Sequence, residues 1–190
     1  MSPFTYIFNR ILNQGIFPDR TKYSIVKPLH KKGSTKELRN YRPISLITTF
    51  SKLLEKLIHR RLYTFLEKKN KLLSVHQFGY RKKLSTSSAI NALQNSILSA
   101  FKENKYVGGL FCDLHKAFDT VNHKILLAKL RYYGISSSPY KLIESYLVDR
   151  YQRVEITNNL NKKVNSSWER IQQAVPQGSV LGTLLFLIYI

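Results

Sequence analysis

Apolar residues recur along this chain at helical spacing in four stretches. Phe50, Leu53, Leu54, Leu57, Ile58, Leu62 and Phe65 fall three or four residues apart, which predicts a helix with one buried face. Lys52, Lys56, Arg60 and Lys68 occupy its other face. Ser85 to Phe101 predicts a second helix, N-capped by Ser85 or Thr86 and buried through Ile90, Leu93, Ile97 and Phe101. His123 to Tyr133 predicts another, ending at Gly134, and Pro139 to Val148 a fourth through Leu142, Ile143, Tyr146 and Leu147. Phe4 to Leu12 is a short helix, closed by Gly15 and Pro18.

Strand patterns lie between these helices. Tyr23 to Pro28 reads as a strand with Lys31-Lys32-Gly33 as a basic turn. Asn40 to Leu46 reads as extended, because Pro43 disfavours a helical Arg42. Tyr106 to Leu114 is nearly continuously apolar, the pattern of a strand buried on both faces. Gln152 to Thr157 predicts a strand, Asn158-Asn159 a turn, and Trp168 to Val175 the return. Pro176 to Gly178 is a loop into a last apolar segment. Strands and helices mix without a regular βαβ repeat, so the expected class is α+β. The chain ends inside an apolar segment with no cap, and the expectation is a truncated C-terminus.

Charge adds a partner class. Lys and Arg number 31 against 11 Asp and Glu, a formal +20, far more than folding needs. Such a balance favours polyanions, nucleic acid above all, through counterion release; the bland alternative is a generically adhesive basic protein. Between Lys27 and Lys83 there are 16 Lys or Arg and three acidic residues. Hydrophobic residues at 43% are enough for one domain with a core, and argue against a disordered tail. Cys112 is the single cysteine, so no internal disulfide forms. No signal peptide is visible, and the apolar run Leu184 to Ile190 is far short of the ~20 residues a spanning helix needs. The expectation is a nuclear or cytoplasmic protein, not secreted and without a membrane partner.

Candidate chemistry centres on Asp113, at the end of the apolar run. A carboxylate there suits magnesium, which takes hard oxygen ligands; from position alone, an Asp capping a turn after a strand is the better reading. Phe118, read alone, is a core aromatic. Cys112 and His115 form a lone C-x-x-H with no second pair for zinc. Gly178-Ser179-Val180-Leu181-Gly182 misplaces its serine for a nucleophile elbow.

Seven segments then combine: V-K-P-L-H-K-K-G at 26–33, N-Y-R-P-I-S-L at 40–46, H-Q-F-G-Y-R at 76–81, S-T-S-S-A at 85–89, F-C-D-L-H-K-A-F-D-T-V-N-H at 111–123, S-Y-L-V-D-R at 145–150 and V-P-Q-G-S-V-L-G at 175–182. In this order they resemble the reverse transcriptase domain of non-LTR (LINE-type) retrotransposons, over nearly the whole chain. The resemblance implies a right-hand polymerase fold without a thumb. Residues 1–105 would be mainly fingers, and 106–190 a partial palm with a fingers-side insertion. It implies RNA-directed DNA synthesis, with template RNA, a DNA primer and dNTPs as partners and Mg2+ as cofactor. Asp113 would be a metal ligand, with the main-chain carbonyl of Leu114 beside it. Phe118 would be a steric gate against a 2′-hydroxyl. Arg42 would grip the triphosphate, with Lys31 or Lys32 as companion; these lysines are also consistent with a solvated turn. Gln177 would touch the incoming nucleotide, and Gly178 would let the backbone approach a base pair. Arg81 would line the template path, or belong to an ordinary basic surface run.

Three positions depart from the family pattern: His115 stands for a usual Ser, Thr183 for Pro and Ser34 for Asp. The Tyr-x-Asp-Asp signature, which would bring the second metal carboxylates, does not occur in the 190 residues. Asp119 is a poor substitute and reads better as a helix cap near Thr120 to Asn122. The isolated chain is therefore expected to be inactive as a polymerase. The alternative is a non-catalytic relic that binds nucleic acid through its basic half. A maturase-type or telomerase-like member of the same fold is disfavoured by the S-Y-L-V-D-R and V-P-Q-G-S-V-L-G wording.

Overall fold

The computed structural model describes residues 2–69, 72–158 and 160–190, the side chains of Lys68 and Lys69 excepted. Helix α1 (Pro3–Gln14) starts with Pro at its first turn and ends at Gly15, in the left-handed conformation at φ +69°. A side chain at Gly15 would strike the Ser138 carbonyl, since a Cβ there would lie 2.8 Å from it. Strand β1 (Tyr23–His30) and strand β2 (Tyr41–Leu46) form an antiparallel pair, with Leu29 opposite Arg42 and His30 opposite Tyr41. The loop between them is tied by its own polar groups: Asn40 Nδ2 donates to the Ser34 carbonyl and the Tyr41 hydroxyl to that of Thr35, both at 2.9 Å.

Helix α2 (Thr49–Tyr63) is N-capped by Thr48, whose hydroxyl accepts from the Ser51 N–H, and continues into a π-helical turn over Thr64–Lys69. Helix α3 (Thr86–Lys102) opens with the reciprocal Ser85/Ser88 capping box. Helix α4 (His123–Tyr132) is capped by Asn122 and closes toward Gly134 at φ +80°. Helix α5 (Ser137–Leu147) leads into strand β3 (Arg150–Thr157), then β4 (Lys163–Asn165), β5 (Glu169–Ile171) and helix α6 (Val180–Tyr189).

The sheet is mixed, in the order β2-β1-β3-β4, with β5 also on β3. β1 and β3 run parallel, Tyr23 beside Tyr151 and Val26 beside Val154, so the intervening helices serve as the crossover. The core lies where α2, α4, α5 and α6 meet: Leu54, Leu126, Leu130, Leu147, Leu181 and Leu185 are fully buried. Helix α6 is apolar all round, as its central position demands. Mixed helices and a small mixed sheet bear out the α+β expectation. Among the described residues no helix is long and apolar enough to cross a membrane.

Four sequence expectations need correction. Tyr106 to Leu114 is not a buried strand. It has no regular structure, and Tyr106, Leu110 and Phe111 are almost wholly exposed. A strand buried on both faces needs neighbours in a sheet and layers above and below, and none of the five strands pairs with this run. Helix α3 forms as expected, but none of its residues is buried; Ile90, Leu93 and Phe101 are exposed. The helix cap before α4 is Asn122, whose Oδ1 accepts from the Lys124 and Ile125 N–H groups, and not Asp119. The expected return strand Trp168 to Val175 is short, because β5 stops at Ile171 and Ala174 takes φ +84°. Asn159 of the expected turn and the Lys68 side chain of the α2 pattern lie outside the described residues.

Candidate nucleotide site

The segment 174–179 is where distant parts of the sequence meet. Its first end hangs on the stretch before α4. The Ala174 N–H donates to the Val121 carbonyl at 2.9 Å, and the Val175 N–H to the Phe118 carbonyl at 3.1 Å. His123 Nε2 donates to the Ala174 carbonyl at 2.7 Å. Its middle hangs on β2: the Ser45 N–H donates to the Gln177 carbonyl at 2.8 Å. Gly178 follows at φ +100°, and a Cβ there would lie 3.3 Å from the Ser45 carbonyl, so only glycine suits both the dihedral and the approach.

Phe118, Gln177, Gly178 and the strand bearing Arg42 are thus tied together by main-chain hydrogen bonds. The Phe118 ring is half-buried, 4.8 Å from Phe186 of α6 and 5.9 Å from Tyr80 (centroid distances). Arg42 is exposed. The Lys31 N–H donates to the Asn40 carbonyl at 2.8 Å, extending the β1–β2 ladder by one step. Residues two apart on a strand share a face, so Lys31 falls on the face of Leu29 and its partner Arg42, while Lys32 begins the turn. Among the described residues none of Lys31, Lys32 and Arg42 has an ion-pair partner.

Asp113 and Leu114 stand apart. Both are exposed on the irregular segment, and Asp113 has no hydrogen-bond partner among the described residues. No group of three or more His, Cys, Asp or Glu able to hold a metal ion occurs among them. Magnesium takes an octahedron of oxygens, several of them waters, and a single exposed carboxylate supplies only one or two of those positions.

Arg81 is mostly buried and engaged within the protein. It pairs with Glu67 and donates to the carbonyls of Ser74 and Gln77, which pins the loop before α3. Its neighbours carry charge outward instead. Lys82 and Lys83 join Arg60 and Arg61 around a concavity of about 1090 Å3 at the C-terminal end of α2. His59 stacks on Tyr63 there, and burial together with the nearby Lys82 charge holds its imidazole below the ordinary value.

Two contributors were missed in the sequence. Tyr80, at φ +59°, braces Phe118; its only signal was an aromatic inside H-Q-F-G-Y-R. Glu55 is fully buried on α2, and its Oε2 accepts from the Val180 and Leu181 N–H groups at 2.8 and 3.1 Å. Its signal was an acidic residue on the apolar face of a helix.

A basic hairpin, the Phe118 aromatic and the Gln177-Gly178 turn are thus tied together in a mixed α+β domain. Comparison with known proteins gives the family. Residues 29–190 match the family model described as reverse transcriptase (RNA-dependent DNA polymerase), and the chain belongs to that family. It is similar to the probable RNA-directed DNA polymerase from transposon BS of Drosophila melanogaster, 37% identical over 96% of this chain. It is also similar to the corresponding proteins of the X-element and of mobile element jockey from the same fly, each 34% identical, over 97% and 96% of this chain. The chain spans about a fifth of the length of these curated relatives (20%, 20% and 19%).

Proposed function

We propose that this chain is the fingers and part of the palm of a right-hand RNA-directed DNA polymerase from a retrotransposon, with residues 1–105 mainly fingers. One observation carries the reading: main-chain bonds from Val175 to Phe118 and from Ser45 to Gln177 hold Phe118, the Gln177-Gly178 turn and the strand of Arg42 together. In this reading Arg42 and Lys31 hold the triphosphate of a dNTP. Arg42 supplies a planar fork for two phosphate oxygens, and Lys31 a second charge. Gln177 and Gly178 set the floor on which the base pair lies. The ring of Phe118, braced by Phe186 and Tyr80, presses on the sugar and excludes a 2′-hydroxyl.

Template RNA and the DNA primer run over the basic half, held by phosphate contacts that carry no sequence information. Arg81 lines the template path indirectly, by anchoring the loop that displays Lys82 and Lys83. Asp113, with the Leu114 carbonyl, is the ligand position for Mg2+ in this reading. A two-metal centre would supply activation of the primer 3′-hydroxyl and stabilisation of the leaving group. The described residues do not form that centre.

Primer extension on an RNA template tests the polymerase reading. Incorporation by the 190-residue chain that disappears in Asp113→Ala would establish a complete site here. No incorporation, with dNTP cross-linking retained, would mean a nucleotide pocket without catalysis. The second reading, a non-catalytic nucleic-acid-binding relic, is favoured by the cation-lined concavity of Arg60, Arg61, Lys82 and Lys83. Salt-sensitive RNA binding indifferent to Asp113→Ala, with neither incorporation nor dNTP cross-linking, would select it.

A further inference from the structure

Glu55 is a carboxylate with no exposed surface, on the helix face that also buries Ser51, Leu54, Ile58 and Leu62. Burying such a group is costly unless it is used. Its Oε2 accepts from the N–H groups of Val180 and Leu181, the first two residues of α6. A helix leaves its first N–H groups without internal partners. The next of these, on Gly182, is taken by the Ser179 hydroxyl at 3.0 Å. The start of α6 is therefore capped by its own Ser179 and by a residue 125 positions earlier in the chain. Arg150 and Tyr146, both buried, complete the surroundings. The Arg150 guanidinium lies over the Tyr146 ring at 4.6 Å, and its charge acts on Glu55.

Val180 is two residues from Gly178 and three from Gln177. The loop is held from one side by Phe118 and Ser45 and from the other by Glu55. We propose that Glu55 is a positioning residue for the incoming nucleotide: its carboxylate clamps the first turn of α6 to α2 and thereby fixes Gln177 and Gly178 against β2. This rests on reading Phe118, Gln177 and Gly178 as a nucleotide pocket. Ser45 and Phe118 hold the loop at Gln177 and Val175, and the two Glu55 bonds hold it from the α6 side. Glu55 makes no contact with the nucleotide; it acts through the loop.

The test compares the 190-residue chain with Glu55→Ala, Glu55→Gln and Glu55→Asp. Three readouts are taken: amide hydrogen exchange over residues 175–181, cross-linking of radiolabelled dTTP in the presence of an RNA template and DNA primer, and affinity for that template-primer. Glu55→Ala should speed exchange at Val180 and Leu181 and across Gln177–Gly178 by roughly tenfold or more, as expected for two lost charge-assisted bonds. It should weaken dTTP binding by a similar factor and leave template-primer affinity unchanged. Glu55→Gln, whose amide oxygen can accept the same two N–H groups, should restore most of both. If Glu55→Ala does not fold, Glu55→Asp keeps the charge beside Arg150 but shortens the reach, and should still loosen the loop and weaken dTTP.

Unchanged exchange at 175–181 in the folded variants would overturn the clamp. Faster exchange with unchanged dTTP binding would reduce Glu55 to a helix cap and overturn the positioning role. Equal losses of dTTP and template-primer affinity would overturn it as general loosening. Absence of dTTP cross-linking by the wild-type chain would instead overturn the nucleotide-pocket reading, and this role with it.

Discussion

Apolar faces in two regions of this chain have opposite fates. Helix α6 and the faces of α2, α4 and α5 that meet it bury their leucines completely. Helix α3 and the irregular run up to Leu114 expose theirs: Leu93, Phe101, Tyr106, Leu110 and Phe111 all face outward. Helix α6 is apolar all round, but α3 carries the same kind of amphipathic stripe as α2, α4 and α5, so the pattern alone does not decide. Apolar spacing reveals that a face can be buried, whereas burial requires a second face of matching shape to be present. For α6 that partner is the four-helix junction. For α3 and residues 105–114 the described residues provide none.

The largest expected effect breaks the comparison at its packed end. Leu126→Ala or Leu185→Ala, at fully buried positions, should cost about 3 kcal/mol in chemical unfolding, since each leaves a cavity. Leu110→Ala and Leu93→Ala should change stability by less than ~0.5 kcal/mol in the same experiment. A loss from Leu110→Ala as large as that from Leu126→Ala would mean the exposed run is packed in solution.

A smaller effect concerns the loop. Gly178→Ala should destabilise by about 1–2 kcal/mol, because φ +100° disfavours a Cβ and the Ser45 carbonyl crowds it. Gly108→Ala, in the exposed run with open space around it, should be neutral in thermal melts. Charge sharpens the contrast in binding. Replacing Arg60, Arg61, Lys82 and Lys83 together by Ala should lower RNA affinity roughly tenfold or more at low salt and flatten its salt dependence. An unchanged salt slope in filter binding would show that this concavity takes no part.

The mildest prediction concerns pH. Burial raises the Glu55 carboxyl above its ordinary 4.5, although the α6 N–H groups and Arg150 oppose the rise. The folded state then holds a proton the unfolded state has lost. Glu55 therefore contributes stability at acid pH that declines as pH rises from about 4.5 through its folded value. His59 acts oppositely: its lowered value means stability is lost as pH falls through the ordinary 6.5 toward the folded value. Removing His59 should therefore flatten the acid limb of a stability–pH curve, while Glu55→Gln should flatten the decline on the rising side.

Local chemistry made much of this fold readable. Gly15, Gly134 and Ser85 announced where helices begin and end, because caps and left-handed turns depend on a few neighbouring residues. The β1–β2 hairpin followed from Pro43 and the basic turn. Phe118, Gln177 and Gly178, singled out by the resemblance, lie on segments joined by main-chain hydrogen bonds. Glu55 and Tyr80 were not readable in the same way, because each acts on residues more than thirty positions distant and leaves no local pattern.

By itself, the sequence determined the helices with their caps, the basic half and the order of the motif segments, since these depend on side-chain type and short-range backbone preference. Tertiary structure alone decided which apolar faces find cover, that Arg81 turns inward to Glu67, and that a glutamate on α2 holds the start of α6. Burial and long-range hydrogen bonds are properties of pairs of surfaces, and a single stretch of sequence carries only one member of each pair.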